Sequence, residues 1–236
     1  MEIILVPGLW LDGSSWKQVV PGLEAAGHRA RPLTLPGMES KDVDRSRVTL
    51  RDHVDAVTRE IDACHPDEKV VLVGHSAGCA IAHAAVDARP DRVARAVYVG
   101  GFPTGDGDAL AAGFPAENGE VPLPAWSEFD AEDLADMDEA ARAAFRERSV
   151  PSPARVTRDP QRLVDERRYD VPVTAVATEY TTGMLRGWIA EGAGPVREFT
   201  HIRDVDFVDL PTGHWPQLTR PDDLVRVILV AAMQES

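Results

Sequence analysis

The sequence predicts an α/β fold built on a mostly parallel sheet of about six strands, with helices on both faces. Two observations carry this. Short apolar, β-branched runs alternate with longer segments of helical period, as in repeated strand–helix–strand units. One run, Val70-Val71-Leu72-Val73, is continuously apolar, which suits a strand buried on both faces. A third observation breaks the pattern: between Pro103 and Asp170 no segment reads as a strand, and seven of the eighteen prolines fall there. An insertion is expected at 103–170, between core segments 1–102 and 171–236.

The elements follow in order. Ile3 to Val6 is the first strand, and Ser14 to Ala26 a helix bent at Pro21 and stopped by Gly27. His28 to Leu35 is a second strand, closed by Pro36-Gly37. Thr49 to Ala63 is a helix with Thr49 and Asp52 as a capping pair and Val54, Val57 and Ile61 on one face. Lys69 to Val73 is a strand, Ser76 to about Ala88 a helix, and Ala94 to Val99 a strand. Inside the insertion one helix is expected, capped by Asp130, with Leu134, Met137, Ala141 and Phe145 along a stripe, making a mainly helical cap. Alternation resumes with a strand at Val171 to Thr178, a helix at Met184 to Ala190 and a strand at Val205 to Leu210. A last helix opens with Pro221, and Asp222 and Asp223 occupy its first turn.

Composition narrows the function. The chain of 236 residues carries a formal charge of −14, which repels nucleic-acid backbones and anionic membranes. Basicity is almost all arginine, with lysine only at 17, 41 and 69, a bias expected of a GC-rich bacterial genome. Cys64 and Cys79 make no disulfide framework, and no Cys/His cluster suggests a metal. No apolar run is long enough to span a membrane, and the opening Met1-Glu2-Ile3-Ile4 lacks a basic leader, so a cytoplasmic monomer or homodimer without cofactor is expected.

Ligands in such sheets bind beyond the carboxyl ends of the strands. There the chain places Gly74-His75-Ser76-Ala77-Gly78, directly after an apolar strand and before an Ala-rich helix. A strand, G-x-S-x-G and a helix form a nucleophile elbow, which makes Ser76 the candidate nucleophile. A serine hydroxyl needs a base. Of seven histidines, His214 follows a late strand, in Gly213-His214-Trp215. Oxyanion donors are expected from the backbone N–H of Ala77 and of Leu9, with Trp10 the alternative to Leu9. Trp10, His75, Phe102, Trp126 and Trp215 are candidate walls of an apolar substrate pocket.

Val6-Pro7-Gly8, Ser14-Ser15-Trp16, Leu23-Glu24-Ala25-Ala26-Gly27-His28, the elbow and Gly213-His214-Trp215 together resemble the α/β-hydrolase superfamily. Within it the chain is most similar to small esterases of the plant methylesterase and hydroxynitrile-lyase group. The resemblance covers nearly the whole chain and is weakest at 103–170. It implies an α/β-hydrolase core lacking the superfamily's first two strands, a cap at 103–170, Ser76 as nucleophile, His214 as base and Leu9 and Ala77 as oxyanion donors.

The chain departs from the family pattern at two places. Pro7-Gly8 replaces the usual His-Gly. In Ala177-Thr178-Glu179-Tyr180 no Asp occurs, and Tyr180 falls where the acid is expected. Glu179, one residue earlier, is the candidate acid, with Asp106 and Asp108 as fallbacks. The resulting expectation is a serine hydrolase of small or medium neutral carboxylic esters. The alternatives are a lyase or another non-hydrolytic enzyme on this scaffold, or a binding protein with a degenerate triad. Residues 103–170 hold 16 acids against 8 arginines, and 103–139 hold 11 acids and no Lys or Arg, which disfavours anionic substrates.

Overall fold

The computed structural model describes residues 1–234. In chain order the elements are β1 (Glu2–Val6), α1 (Val20–Ala25), β2 (Arg29–Pro32), α2 (Leu50–Ala63), β3 (Val70–His75), α3 (Ala77–Ala88), β4 (Val93–Val99) and β5 (Glu120–Val121). They continue with α4 (Glu139–Arg148), β6 (Ser152–Pro153), α5 (Ala154–Arg158), β7 (Val173–Ala177), α6 (Thr182–Ala190), β8 (Val205–Asp209), α7 (Pro216–Thr219) and α8 (Pro221–Met233). Six strands form one sheet in the order β2-β1-β3-β4-β7-β8, and every pairing in it is parallel.

Alternate residues of the central strands feed two cores. Ile4, Val6, Leu72, Tyr98 and Ala175 face α2, α3 and α6, while Ile3, Leu5, Val71, Val73, Val97 and Val99 face α1 and α8. This two-sided burial is why the central strands read as unbroken apolar runs. From β1 the chain crosses first to β2 and then to β3 on β1's other side. The loops after β1 and β3 therefore leave neighbouring strand ends in opposite senses, which opens a crevice at the switch point.

Local signals explain most boundaries. Thr49 and Asp52 make both bonds of the capping box that opens α2. Pro21 lies in the first turn of α1 instead of bending a longer helix, so 14–26 is divided into a 3-10 turn at Gly13–Trp16 and α1. The second strand is shorter than the expected 28–35.

The 103–170 segment corrects two expectations. It is largely irregular rather than mainly helical, with α4 and α5 as its α-helices. Its helix begins later than Asp130: Asp136 sits in the left-handed region (φ 65°), and Asp138 caps α4 by accepting from Ala141 N at 2.8 Å. The segment also holds a two-residue antiparallel ribbon, β5 with β6, too short to show a strand period. Val121, Leu134, Met137, Phe145 and Ala154 pack with Leu9, Trp10, Leu11 and Trp215 in a third core above the strand ends. Further along, Gln161 Nε2 donates to Ala80 O (2.8 Å), which ties the segment to α3. Among the described residues no helix is long and apolar enough to cross a membrane.

Candidate active site

Ser76 is the hinge between β3 and α3. Its backbone is strained (φ 54°, ψ −128°), a conformation a non-glycine residue holds only when its surroundings over-determine it. They do: Ser76 N donates to Val99 O at 2.9 Å, and Gly78 fits where a Cβ would stand 2.6 Å from both Val6 O and Pro7 O. The turn is locked between the loop after β1 and the end of β4.

Ser76 Oγ lies 2.8 Å from His214 Nε2, and His214 Nδ1 donates to Glu179 Oε1 at 2.9 Å. The other Glu179 oxygen accepts from Thr178 Oγ1. Burial works against the Glu179 charge, but the hydrogen bond to His214, its charge and Thr178 outweigh it and hold the pKa at about 2. Burial likewise opposes the imidazolium of His214, yet Glu179, with help from Asp133, raises its pKa above 6.5. Neither Asp106 nor Asp108 is bonded to His214: Asp106 Oδ1 accepts from Leu163 N (2.8 Å), and Asp108, on the cavity wall, lies 3.5 Å from Arg197.

His75 does not line the pocket. It is fully buried, and burial followed by the nearness of His214 lowers its pKa to about 3, so it is neutral. Its Nε2–H donates to the backbone O of His214 at 2.7 Å, which steadies the loop carrying that ring. Glycine at 213 is required by close approach, because a Cβ there would lie 2.3 Å from Ala135 O and 2.6 Å from Asp133 O. His214 N also donates to Asp133 O at 2.8 Å.

A cavity of about 1000 Å³ opens over Ser76 and His214, next to Leu9 and Ala77. On one side Phe102, Tyr180 and Trp188 form an aromatic wall, with ring centroids 5.4 to 6.4 Å apart. On the other, Trp10 meets Phe114 and Phe129 edge-on. Trp126 and Trp215 are not among the lining residues; they pack with Phe129 and Phe145 in the third core, where two large rings gain more from mutual burial than from facing an open cavity. Trp10 N–H is taken by Ser152 Oγ at 2.9 Å, which leaves Leu9 as the oxyanion candidate of that loop.

Sequence reasoning missed Tyr180 as a wall residue, along with Trp188, Phe114 and Phe129. It also missed Asp133. Asp133, Glu179 and His214 bring one ligating atom each within 4.8 Å of one another, the one such trio among the described residues able to hold a metal ion. Two of the three are already joined by the 2.9 Å hydrogen bond, an arrangement suited to a carboxylate that orients and supports a histidine base.

The model of the alpha/beta hydrolase family matches residues 3–227. Salicylic acid-binding protein 2 of Nicotiana tabacum is 35% identical over 103 residues, 43% of this chain and 39% of that protein. Polyneuridine aldehyde esterase of Rauvolfia serpentina is 31% identical over 123 residues, 51% and 46% of the two chains. The chain thus matches less than half the length of either relative. Among solved structures, an extracellular alpha/beta-hydrolase from a Paenibacillus species superposes with a TM-score of 0.77 at 22% identity, over 98% of both chains, a likeness of fold. The family model extends over almost the entire six-stranded sheet and both loops that bring Ser76 and His214 together, and the chain belongs to the alpha/beta hydrolase family.

Proposed function

We propose that this protein is a carboxylic-ester hydrolase working through an acyl-enzyme on Ser76. The observation that carries the reading is the unbroken relay from Ser76 Oγ to His214 Nε2 (2.8 Å) and from His214 Nδ1 to Glu179 (2.9 Å). His214 takes the hydroxyl proton as Ser76 Oγ attacks the ester carbonyl. The N–H groups of Leu9 and Ala77 hold the oxyanion, and Glu179 fixes the tautomer and offsets the imidazolium charge. Collapse expels the alcohol, which takes the proton from His214. A water then repeats the sequence on the acyl group, and Ser76 is regenerated.

The two aromatic walls suit an ester with apolar groups on both sides of the carbonyl. Asp108, Asp130, Glu132 and Asp133 line the same cavity, and its lining holds one arginine, Arg197. That balance favours neutral or cationic esters over anionic ones. A degenerate binding protein was the alternative should the acid be missing, and Glu179 supplies a carboxylate at Nδ1.

A fluorophosphonate probe tests the reading. Labelling of Ser76, with turnover of short aryl esters abolished in Ser76→Ala, is expected. Folded protein that neither labels nor turns over any ester in a panel would overturn it.

A further inference from the structure

We propose that Asp133, contributed by the 103–170 segment, is a second carboxylate serving His214, a positioning residue that shares the imidazolium with Glu179. The proposal rests on the reading of Ser76 and His214 as nucleophile and base. Two separate contacts support it. The backbone oxygen of Asp133 accepts the His214 N–H at 2.8 Å, in a fit so close that residue 213 has no room for a Cβ. The side chain of the same residue also reaches toward the ring: a carboxylate oxygen of Asp133 lies within 4.8 Å of both an imidazole nitrogen of His214 and a carboxylate oxygen of Glu179.

The Asp133 carboxylate is oriented from its own turn, since Oδ2 accepts from Asp130 N at 3.1 Å. Among the described residues no lysine or arginine forms an ion pair with it; Arg197, the cation of the cavity, lies beside Asp108. Burial and the nearby Glu179 push the Asp133 pKa up, and His214 pulls it down. The other polar groups at the His214 ring are Ser76 Oγ at 2.8 Å and the neutral ring of His75, 5.1 Å away between centroids, while Asp130 and Glu132 line the same cavity. Before reaction, two carboxylates flank a neutral imidazole and repel each other. When the Ser76 Oγ proton arrives at Nε2, the same pair flanks a cation. The proton leaves again with the departing alcohol, so Asp133 itself neither gains nor loses one. An acid that is unfavourable in the resting site and favourable once charge separates stabilises the transition state selectively.

The test is the pH dependence of kcat/KM in Asp133→Asn, which keeps both the backbone carbonyl and a side-chain acceptor for Asp130 N. A neutral aryl ester and choline esters serve as substrates. The acid limb is expected to move to lower pH by roughly half a unit or more, because removing a nearby anion makes the imidazole easier to deprotonate. The plateau kcat is expected to fall several-fold, with KM for the neutral ester little changed, and Asp133→Glu should recover part of both. As a readout free of turnover, the His214 imidazole followed by NMR in Ser76→Ala should titrate lower when Asp133→Asn is added. Limbs and titration that do not move would overturn the proposal, as would a loss confined to KM for choline esters, which would make Asp133 a substrate contact. Fluorophosphonate labelling of Ser76 in the unaltered enzyme separates this failure from a failure of the hydrolase reading itself.

Discussion

Glu179 and His214 meet across 35 residues of sequence with a 2.9 Å hydrogen bond, from a position one residue short of where the family resemblance sets the acid. The longer glutamate side chain closes that gap. Glu179→Gln should therefore lower kcat by about 10²–10⁴-fold with KM nearly unchanged, since an amide supports neither the imidazolium nor a single tautomer. Asp106→Ala, which removes a carboxylate bonded to Leu163 N, should keep kcat near its starting value. Steady-state ester kinetics, with thermal melts as a folding control, check both.

The pH profile follows from the same pair. The base acts only when neutral, and its pKa is raised above 6.5, so activity should fall with acid through a midpoint above pH 6.5. Glu179 stays ionised down to about pH 2 and should add no second inflection between pH 4 and 6. A kcat/KM profile from pH 4 to 9 decides this.

Behind the site lies a buried ionic cluster. Arg168 bonds Asp87 Oδ1 and Glu198 Oε1, each at 3.1 Å, and Glu198 also meets His83 Nε2 at 3.1 Å. Arg168→Ala would leave two buried carboxylates without their cation and should cost about 3–5 kcal/mol, read as a lower urea midpoint. Although burial opposes its charge, Glu198 has its pKa held at about 2, chiefly by the His83 and Arg168 contacts. A depressed carboxylate stabilises the fold above the unfolded value of about 4.3, and that contribution should disappear as pH falls from about 4 toward 2.

Tyr180 stands where the acid was expected, yet its buried hydroxyl has no hydrogen-bond partner among the described residues. Tyr180→Phe should thus leave thermal stability unchanged or raise it, because an unsatisfied polar group is removed. Tyr180→Ala should cost about 3–5 kcal/mol, as it takes a ring from between Phe102 and Trp188. Differential scanning calorimetry of the two variants tests the contrast.

The core was legible because its strands are buried on both faces, which writes unbroken apolar runs, and because Thr49, Asp52 and Pro221 mark helix starts chemically. Ser76 and His214 were legible from their places after strands. The 103–170 segment was not. Its course depends on single backbone choices such as the left-handed Asp136, and eleven acids in one run look alike in sequence although only Asp133 reaches His214 and Glu179 closely enough to complete a ligating trio. Aromatic residues near the loops announced an apolar wall but not their direction, so Trp126 and Trp215 pointed to the pocket in sequence and to each other in the fold.

Trp10 also holds a left-handed backbone (φ 64°), rare for so large a side chain. Its N–H goes to Ser152 Oγ, its indole N–H to Val121 O, and its carbonyl accepts from Val150 N. The miniature ribbon of β5 and β6 thus acts as a clamp on the residue next to Leu9. On the hydrolase reading, a donor fixed in advance spends no free energy on rearrangement when the oxyanion forms, so damage to the ribbon should surface as a lower kcat with KM little changed. Ser152→Ala, which touches neither Ser76, His214 nor Glu179, should then slow turnover, and the otherwise irregular insertion offers a place where the rate can be altered at a distance from those three residues.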